Sequence, residues 1–289
     1  MESTPAALQS QDRDLTWESI RYDVPAPDDF LMPEHHWPAF VDLPLDRAVR
    51  IRFNHFAVRF TCEMFIYFEH SIIEYMRRHR ARLRNLVKES HRVRFIEEEK
   101  KHTDAFYRLL FLLRPDLYDT RDVHFLKPSR WDRLLLFLTP PATFFIMAEL
   151  FEEMTIFVPA VMAERPEHSF APVYEVMKLH AEEELGHVRI DTQALEIARE
   201  RAPGWIFGAQ ALWSLPLMLY AELKLRSCWK KAVGKFAAEE NLTPEQAKLL
   251  VRKPSRSDIL GFESFLEKKQ GAEMPGLRIL CAILKKVIR

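Results

Sequence analysis

The chain has 289 residues, 48% of them hydrophobic and 29% charged, which is enough for one large domain or two small ones around a sizeable core. Basic and acidic residues balance to a formal net charge of zero, so nothing global draws the chain to nucleic acid or to an anionic membrane. Only 7 glycines and no long alternating Val/Thr-rich run argue against sheets and for an all-α fold. Cys62, Cys228 and Cys281 lie far apart, which speaks against a disulfide framework or a zinc–thiolate site and for a reducing compartment, the cytoplasm.

The N-terminus shows no basic-then-apolar leader, so no signal peptide is expected. Residues 1–40 are rich in Pro and Asp, including the stretch at 23–30, and read as an extended arm wrapping the body. Helical patterning starts near Asp46 and predicts helices over 46–80, 87–113, 129–164 and 170–201. Pro115, Pro166 and Pro203-Gly204 mark the breaks. Pro140-Pro141 either kinks the third helix or marks its true start. Further helices are expected over 205–239 and 244–270, with an amphipathic tail at 277–288. Thr243 and Pro244 look like an N-cap and first helical position. Trp205 to Tyr220 is apolar but short, and Gln210 and Pro216 interrupt it, so a buried helix is expected there rather than a membrane span.

Two of these helices repeat one motif. Glu99 and His102 form a Glu-x-x-His pair in the second, and Glu184 and His187 form another in the fourth. Residues three or four apart share a helix face, so each pair can reach one ion, and His180 joins Glu184 and His187 on theirs. A single such pair in a charged helix is usually just solvated. The other two helices add weight. Glu69 is flanked at helical spacing by Phe65, Ile66, Ile72 and Ile73, an apolar face on which a lone carboxylate is costly without a metal or cation. Phe145-Ile146-x-x-Glu149 repeats Phe65-Ile66-x-x-Glu69, giving an internal repeat of Phe-Ile-x-x-Glu, hairpin, Glu-Glu-x-x-His.

Glu69 to Glu99 is 30 positions and Glu149 to Glu184 is 35, both suited to antiparallel helix pairs. One Glu from each of two helices plus Glu-x-x-His from each of two others is the ligand pattern of ferritin-like di-iron bundles. Carboxylates hold hard cations and imidazoles fill terminal positions. Glu63 competes with Glu69, and Glu152 and Glu153 with Glu149; the repeat alignment favours Glu69 and Glu149. The expected organisation is an arm over 1–40, a ferritin-like four-helix di-metal bundle over 41–204, and C-terminal helices over 205–289 packed on it.

Over roughly 46–200 the chain resembles the AurF-type di-iron oxygenases, the p-aminobenzoate N-oxygenase family. The likeness lies in His180-x-x-x-Glu184-x-x-His187, in Glu63 standing six residues before Glu69, and in Ala148 before Glu149. The family's Asp before each ligand Glu is Glu98 and Glu183 here, positions expected to orient the histidines. The resemblance implies a metal set of Glu69, Glu99, His102, Glu149, His180, Glu184 and His187. It also implies two irons, with manganese as the rival metal, and dioxygen-dependent oxidation of an amine nitrogen in a small organic substrate. A C–H hydroxylase or desaturase and a ferroxidase or iron-handling protein are the competing readings.

No reductase segment is visible, so an external electron donor or reductase is an expected partner. The basic run from Arg77 to Arg94 reads as a solvated hairpin tip or as a dock for an acidic carrier protein. A homodimer is a further expectation. Tyr67 and Tyr107 fall near the proposed ligands, and Phe65, Phe144, Met147 and Phe151 line either an apolar pocket or an ordinary core.

Overall fold

The computed structural model describes residues 15–26, 28–33, 45–162 and 169–251. Among them the chain is all-α: α1 (Arg47–Arg78), α2 (Arg80–Leu83), α3 (Glu89–Leu113), α4 (Pro115–Tyr118), α5 (Arg130–Leu138), α6 (Pro141–Met162), α7 (Ala171–Arg201), α8 (Gly204–Glu239) and α9 (Pro244–Leu250).

Prolines and caps set most of these ends. The helix expected over 129–164 is two helices. Thr139, which precedes Pro140, takes an extended conformation, and α6 restarts on Pro141. The residue before a proline is pushed out of the helical region, and a proline at the first position gives up an N–H that has no partner anyway. Ser129 and Asp132 close a reciprocal capping box at the start of α5. Thr243 and Gln246 do the same for α9, with Pro244 at its first position. Of the helix expected over 244–270 only 244–251 lies within the described residues, helical over Pro244–Leu250, and the tail at 277–288 lies outside them.

α1 packs on α3 and α6 on α7, and the two pairs meet through α3 and α7. The larger core fills this space with Cys62, Phe65, Phe95, Phe106, Phe145 and Val176 among its buried members. Leu31 and Met32 of the N-terminal arm join it, their amides donating to Asn54 of α1 at 2.8 and 3.2 Å. A second core packs Phe53, Phe56 and Phe60 of α1 against Val233 and Phe236 near the end of α8.

The structure corrects the reading of Trp205–Tyr220 as a buried helix. α8 is helical there but lies on the surface, with Trp205 76%, Leu212 66% and Leu219 60% exposed. α6 already packs along α7, so α8 covers only a strip of α6, and before its last turns it buries just Ser214.

α8 is tied to α5 by polar contacts. Asp132 accepts hydrogen bonds from the Tyr67 and Tyr220 hydroxyls at 2.9 and 2.8 Å and pairs with Lys224. Burial works to raise the Asp132 carboxyl, but Lys224 and the Ser129 and Tyr220 hydrogen bonds outweigh it and hold it at about 2. A depressed carboxyl pKa stabilises the fold above the unfolded value near 4 and stops doing so as pH falls through about 2. Asp132→Asn is expected to cost roughly 1–2 kcal/mol at pH 7, after allowing for solvent screening of a partly exposed group. In urea titrations the gap between wild type and variant should narrow from pH 4 to pH 2; a constant gap would contradict this account.

Candidate metal centre

Four helices deliver ionisable side chains to one dry place. α1 supplies Glu69, α3 supplies Glu99 and His102, α6 supplies Glu152, and α7 supplies His180, Glu184 and His187, all buried. They form two groups, Glu69–His102–His180–Glu184 and Glu99–Glu152–Glu184–His187, each with its ligand-type atoms within 4.8 Å of one another. Such groups can hold metal ions.

Glu184 belongs to both groups, and its two oxygens face different ways. Oε1 lies 2.8 Å from His180 Nε2 and 3.4 Å from His102 Nδ1, whereas Oε2 lies 2.7 Å from His187 Nδ1. Glu69 Oε1 accepts from His180 Nε2 at 3.0 Å, and its Oε2 accepts from the Thr103 hydroxyl at 3.0 Å. Glu99 Oε1 stands 3.2 Å from His187 Nδ1.

The rings are held from outside. His102 Nε2 donates to Glu183 of α7 at 2.8 Å, and His187 Nε2 donates to Glu98 of α3 at 3.1 Å. Each Nε2–H is thereby occupied, which leaves Nδ1 of both rings facing the cluster, the arrangement in which an outer carboxylate sets the tautomer of a ligand histidine. Glu183 also accepts from the Trp17 indole N–H at 3.0 Å and from Lys101 at 3.2 Å, and Glu98 from Arg94 at 2.8 Å. Phe95 stacks on His187 at 3.8 Å between centroids, and Phe65 stacks on His180 at 5.5 Å.

Donor chemistry tests the fit. Both oxygens of Glu99 and of Glu152, Oε1 of Glu184 and Nδ1 of His102 make no hydrogen bond. Buried polar atoms are nearly always partnered, so carboxylate oxygens and a ring nitrogen that converge with no well-aligned hydrogen bond, close only to one another, could hold a cation. Without a cation the cluster holds protons. Burial pushes the Glu69 carboxyl up to about 8, and burial with the Glu184 charge raises Glu99. Burial and Asp191 raise Glu152 well above the carboxylate range. Glu184 goes the other way: burial opposes its charge, but His187, His180 and His102 hold it well below the usual range. His102, despite burial, is lifted to about 9 by Glu183, Glu184 and Glu99.

Six of the seven expected ligands thus meet: Glu69, Glu99, His102, His180, Glu184 and His187. Glu149 does not join them. It is half-buried and accepts from the Thr192 hydroxyl at 2.9 Å, and Glu152 takes its place. The inward stripe of α6 runs through Phe145, Ala148, Glu152 and Thr155, and Glu149 is one step off it. The repeat alignment matched letters, whereas the rotation of α6 is set by this stripe.

Glu63 is not in the cluster either. It accepts from the Tyr118 hydroxyl and from the amides of His124, Phe125 and Leu126, pinning the segment after α4. Two residues were not anticipated. Asp191 is fully buried against Glu152, burial raises its carboxyl well above the usual range, and its place four after His187 was the available signal. Trp17 had no signal, because its partner is 166 positions away. Tyr67 points to Asp132, and Arg78, Arg80, Arg92 and Arg94 of the basic tip are in ion pairs with Glu74, Glu89, Glu89 and Glu98.

No family model, no curated protein and no solved structure matches the chain.

The two kinds of buried carboxylate should respond oppositely to removal. Glu152→Leu removes a buried carboxyl that no backbone amide or hydroxyl holds, relieves its repulsion with Asp191, and is expected to stabilise the metal-free protein by about 1–3 kcal/mol. Glu63→Leu strands three backbone N–H groups and is expected to cost about 3 kcal/mol or more. Denaturant midpoints of chelator-treated protein check both; two shifts of the same sign would refute the distinction.

Proposed function

We propose that α1, α3, α6 and α7 form a ferritin-like four-helix bundle around a dinuclear centre, and that with two irons the protein is a dioxygen-dependent oxygenase. The observation that carries this reading is Glu184. One buried carboxylate turns its two oxygens to two separate ligand groups, each completed by carboxylates and imidazole. That is the layout of a carboxylate shared between two cations, and the ligand types are those of iron or manganese rather than of a thiolate metal. Cys62 stands apart from both groups, and burial pushes its thiol up, away from the thiolate form.

The residues that would hold the metals are Glu69, His102, His180 and Glu184 on one side and Glu99, Glu152, Glu184 and His187 on the other. When bound, two ferrous ions supply the electrons that activate dioxygen. The chain's own residues do the rest. Glu98 and Glu183 fix the His187 and His102 rings, so that Nδ1 is the atom presented. Phe65, Phe95 and Phe106 pack around the rings of His180 and His187 and keep water from the oxygens.

The substrate class follows the AurF-type resemblance. The third histidine, His180, sits in the Glu69 group, which therefore has two imidazoles against one in the Glu99 group. We take the substrate to be a small organic amine oxidised at nitrogen, with electrons from a separate donor.

Anaerobic loading with ferrous iron tests the reading. About two irons per chain are expected in wild type, with a clear loss in Glu184→Ala and Glu152→Ala and near-full retention in Glu149→Ala. Glu98→Gln and Glu183→Gln should each weaken metal binding roughly 10- to 100-fold. Exposure of the loaded protein to dioxygen with a panel of arylamines should then consume amine and give N-oxygenated product. No stoichiometric iron or manganese would overturn the metal reading. Iron oxidation with every amine left intact would replace the oxygenase with an iron-handling protein.

A further inference from the structure

α8 is long and apolar enough to cross a membrane, yet nearly all of its most apolar window lies on the protein's surface. Trp205, Leu212, Leu219 and Leu223 are exposed at steps of seven, seven and four, so they share one face. Continuing by three and four, the same stripe reaches Arg226, which pairs with Glu222 at 3.0 Å, and the exposed Lys230, beside exposed Lys231 and Lys235. One helix face therefore runs from apolar to basic along its axis. The apolar part, from Trp205 to Leu223, is about 27 Å long.

α5 widens this surface. It lies beside α8, tied through Asp132 to Tyr220 and Lys224, and the start of α6 is tied to Gln210. Its exposed Trp131, Leu134 and Leu138 fall at i, i+3 and i+7, with Arg130 and Arg133 exposed next to them. Exposed apolar stripes on two helices tied to each other mark a partner.

We propose that the outer faces of α5 and α8 dock on an anionic lipid bilayer, with the apolar stripe in the interfacial hydrocarbon and the basic end against lipid phosphates. The order of residues along α8 selects this occupant. A second copy packed antiparallel would press Lys230 onto the leucines of the first, and a parallel copy would set the lysines at 230, 231 and 235 against each other. Both arrangements strand cations. A bilayer offers hydrocarbon and phosphate side by side, and tryptophans favour that boundary. α8 lies on the membrane and does not cross it, since Val233 and Phe236 are locked against Phe53 and Phe56 of α1.

The test is co-sedimentation of the full-length chain with vesicles of phosphatidylcholine, alone or mixed with phosphatidylglycerol, alongside tryptophan fluorescence. The chain is expected to sediment with the mixed vesicles, with a blue-shifted emission and with weaker binding in high salt. The double variant Leu212→Glu/Leu219→Glu, at exposed positions and checked for unchanged helicity by circular dichroism, should bind at least roughly tenfold more weakly. Lys230→Glu/Lys231→Glu should lose the preference for the anionic lipid. A wild-type chain that stays in the supernatant with both vesicles would overturn the proposal. So would equal binding of wild type and the leucine variant. A wild-type dimer that ignores vesicles and is split by the leucine substitutions would assign the face to self-association instead.

Discussion

Glu69, Glu99, Glu152, Glu184 and Asp191 are shut away from water together with three imidazoles, and most of these acid oxygens have no hydrogen bond. Each unsatisfied buried group costs roughly 1–3 kcal/mol, against a total stability of roughly 5–15 kcal/mol for a folded domain. Such a set survives only if its charge is managed. In the metal-free chain most of that management is protonation: Glu69, Glu99, Glu152 and Asp191 are all pushed toward the neutral acid, chiefly by burial. Glu184 alone is held as an anion, by the histidines around it. Cations entering the cluster would exchange with these protons, so occupancy and protonation of the site are two sides of one equilibrium.

The remainder of the fold reads as support for that cluster. The aromatic side chains do more than fill volume, because Phe65, Phe95 and Phe106 lie flat or edge-on against imidazoles and limit their rotation. The contrast with Glu63 is instructive. It is as buried as Glu69 and lies on the same helix, but four donors surround it, three of them amides from 124–126. The same side chain two turns away is anchored by backbone amides in one case and, in the other, by one hydroxyl and the His180 ring of the cluster. The difference lies in what the neighbouring backbone offers.

Much of this was legible in the sequence. Pro141, Pro203, Pro244 and the Thr243 cap mark helix starts by local chemistry, and the Glu-x-x-His pairs with His180 place five cluster residues by spacing alone, with Glu69 marked by its apolar flanks. What escaped depends on helix rotation and on long-range packing. Glu149, Glu152 and Glu153 are nearly adjacent, Glu152 and Glu153 are both fully buried, and only the stripe through Phe145, Ala148, Glu152 and Thr155 decides which one meets the cluster. Trp17 meets Glu183 through an arm whose path no periodicity encodes. The apolar character of α8 was plain, but a sequence does not say whether an apolar helix has been given anything to lie under.

The outer contacts of the two rings cross over. Glu98 of α3 holds the ring of α7, and Glu183 of α7 holds the ring of α3. Neither helix can therefore slide or turn past the other by even one residue without breaking both contacts at once. The pair acts as an interlock that sets the axial register of α3 against α7, independently of the smooth apolar surfaces around it. Helix pairs joined by leucines and phenylalanines alone have several offsets of similar energy, whereas two reciprocal hydrogen bonds have one. Correct assembly of the two hairpins and correct aim of the imidazoles are then a single cooperative event, and a misregistered chain would carry no half-formed site.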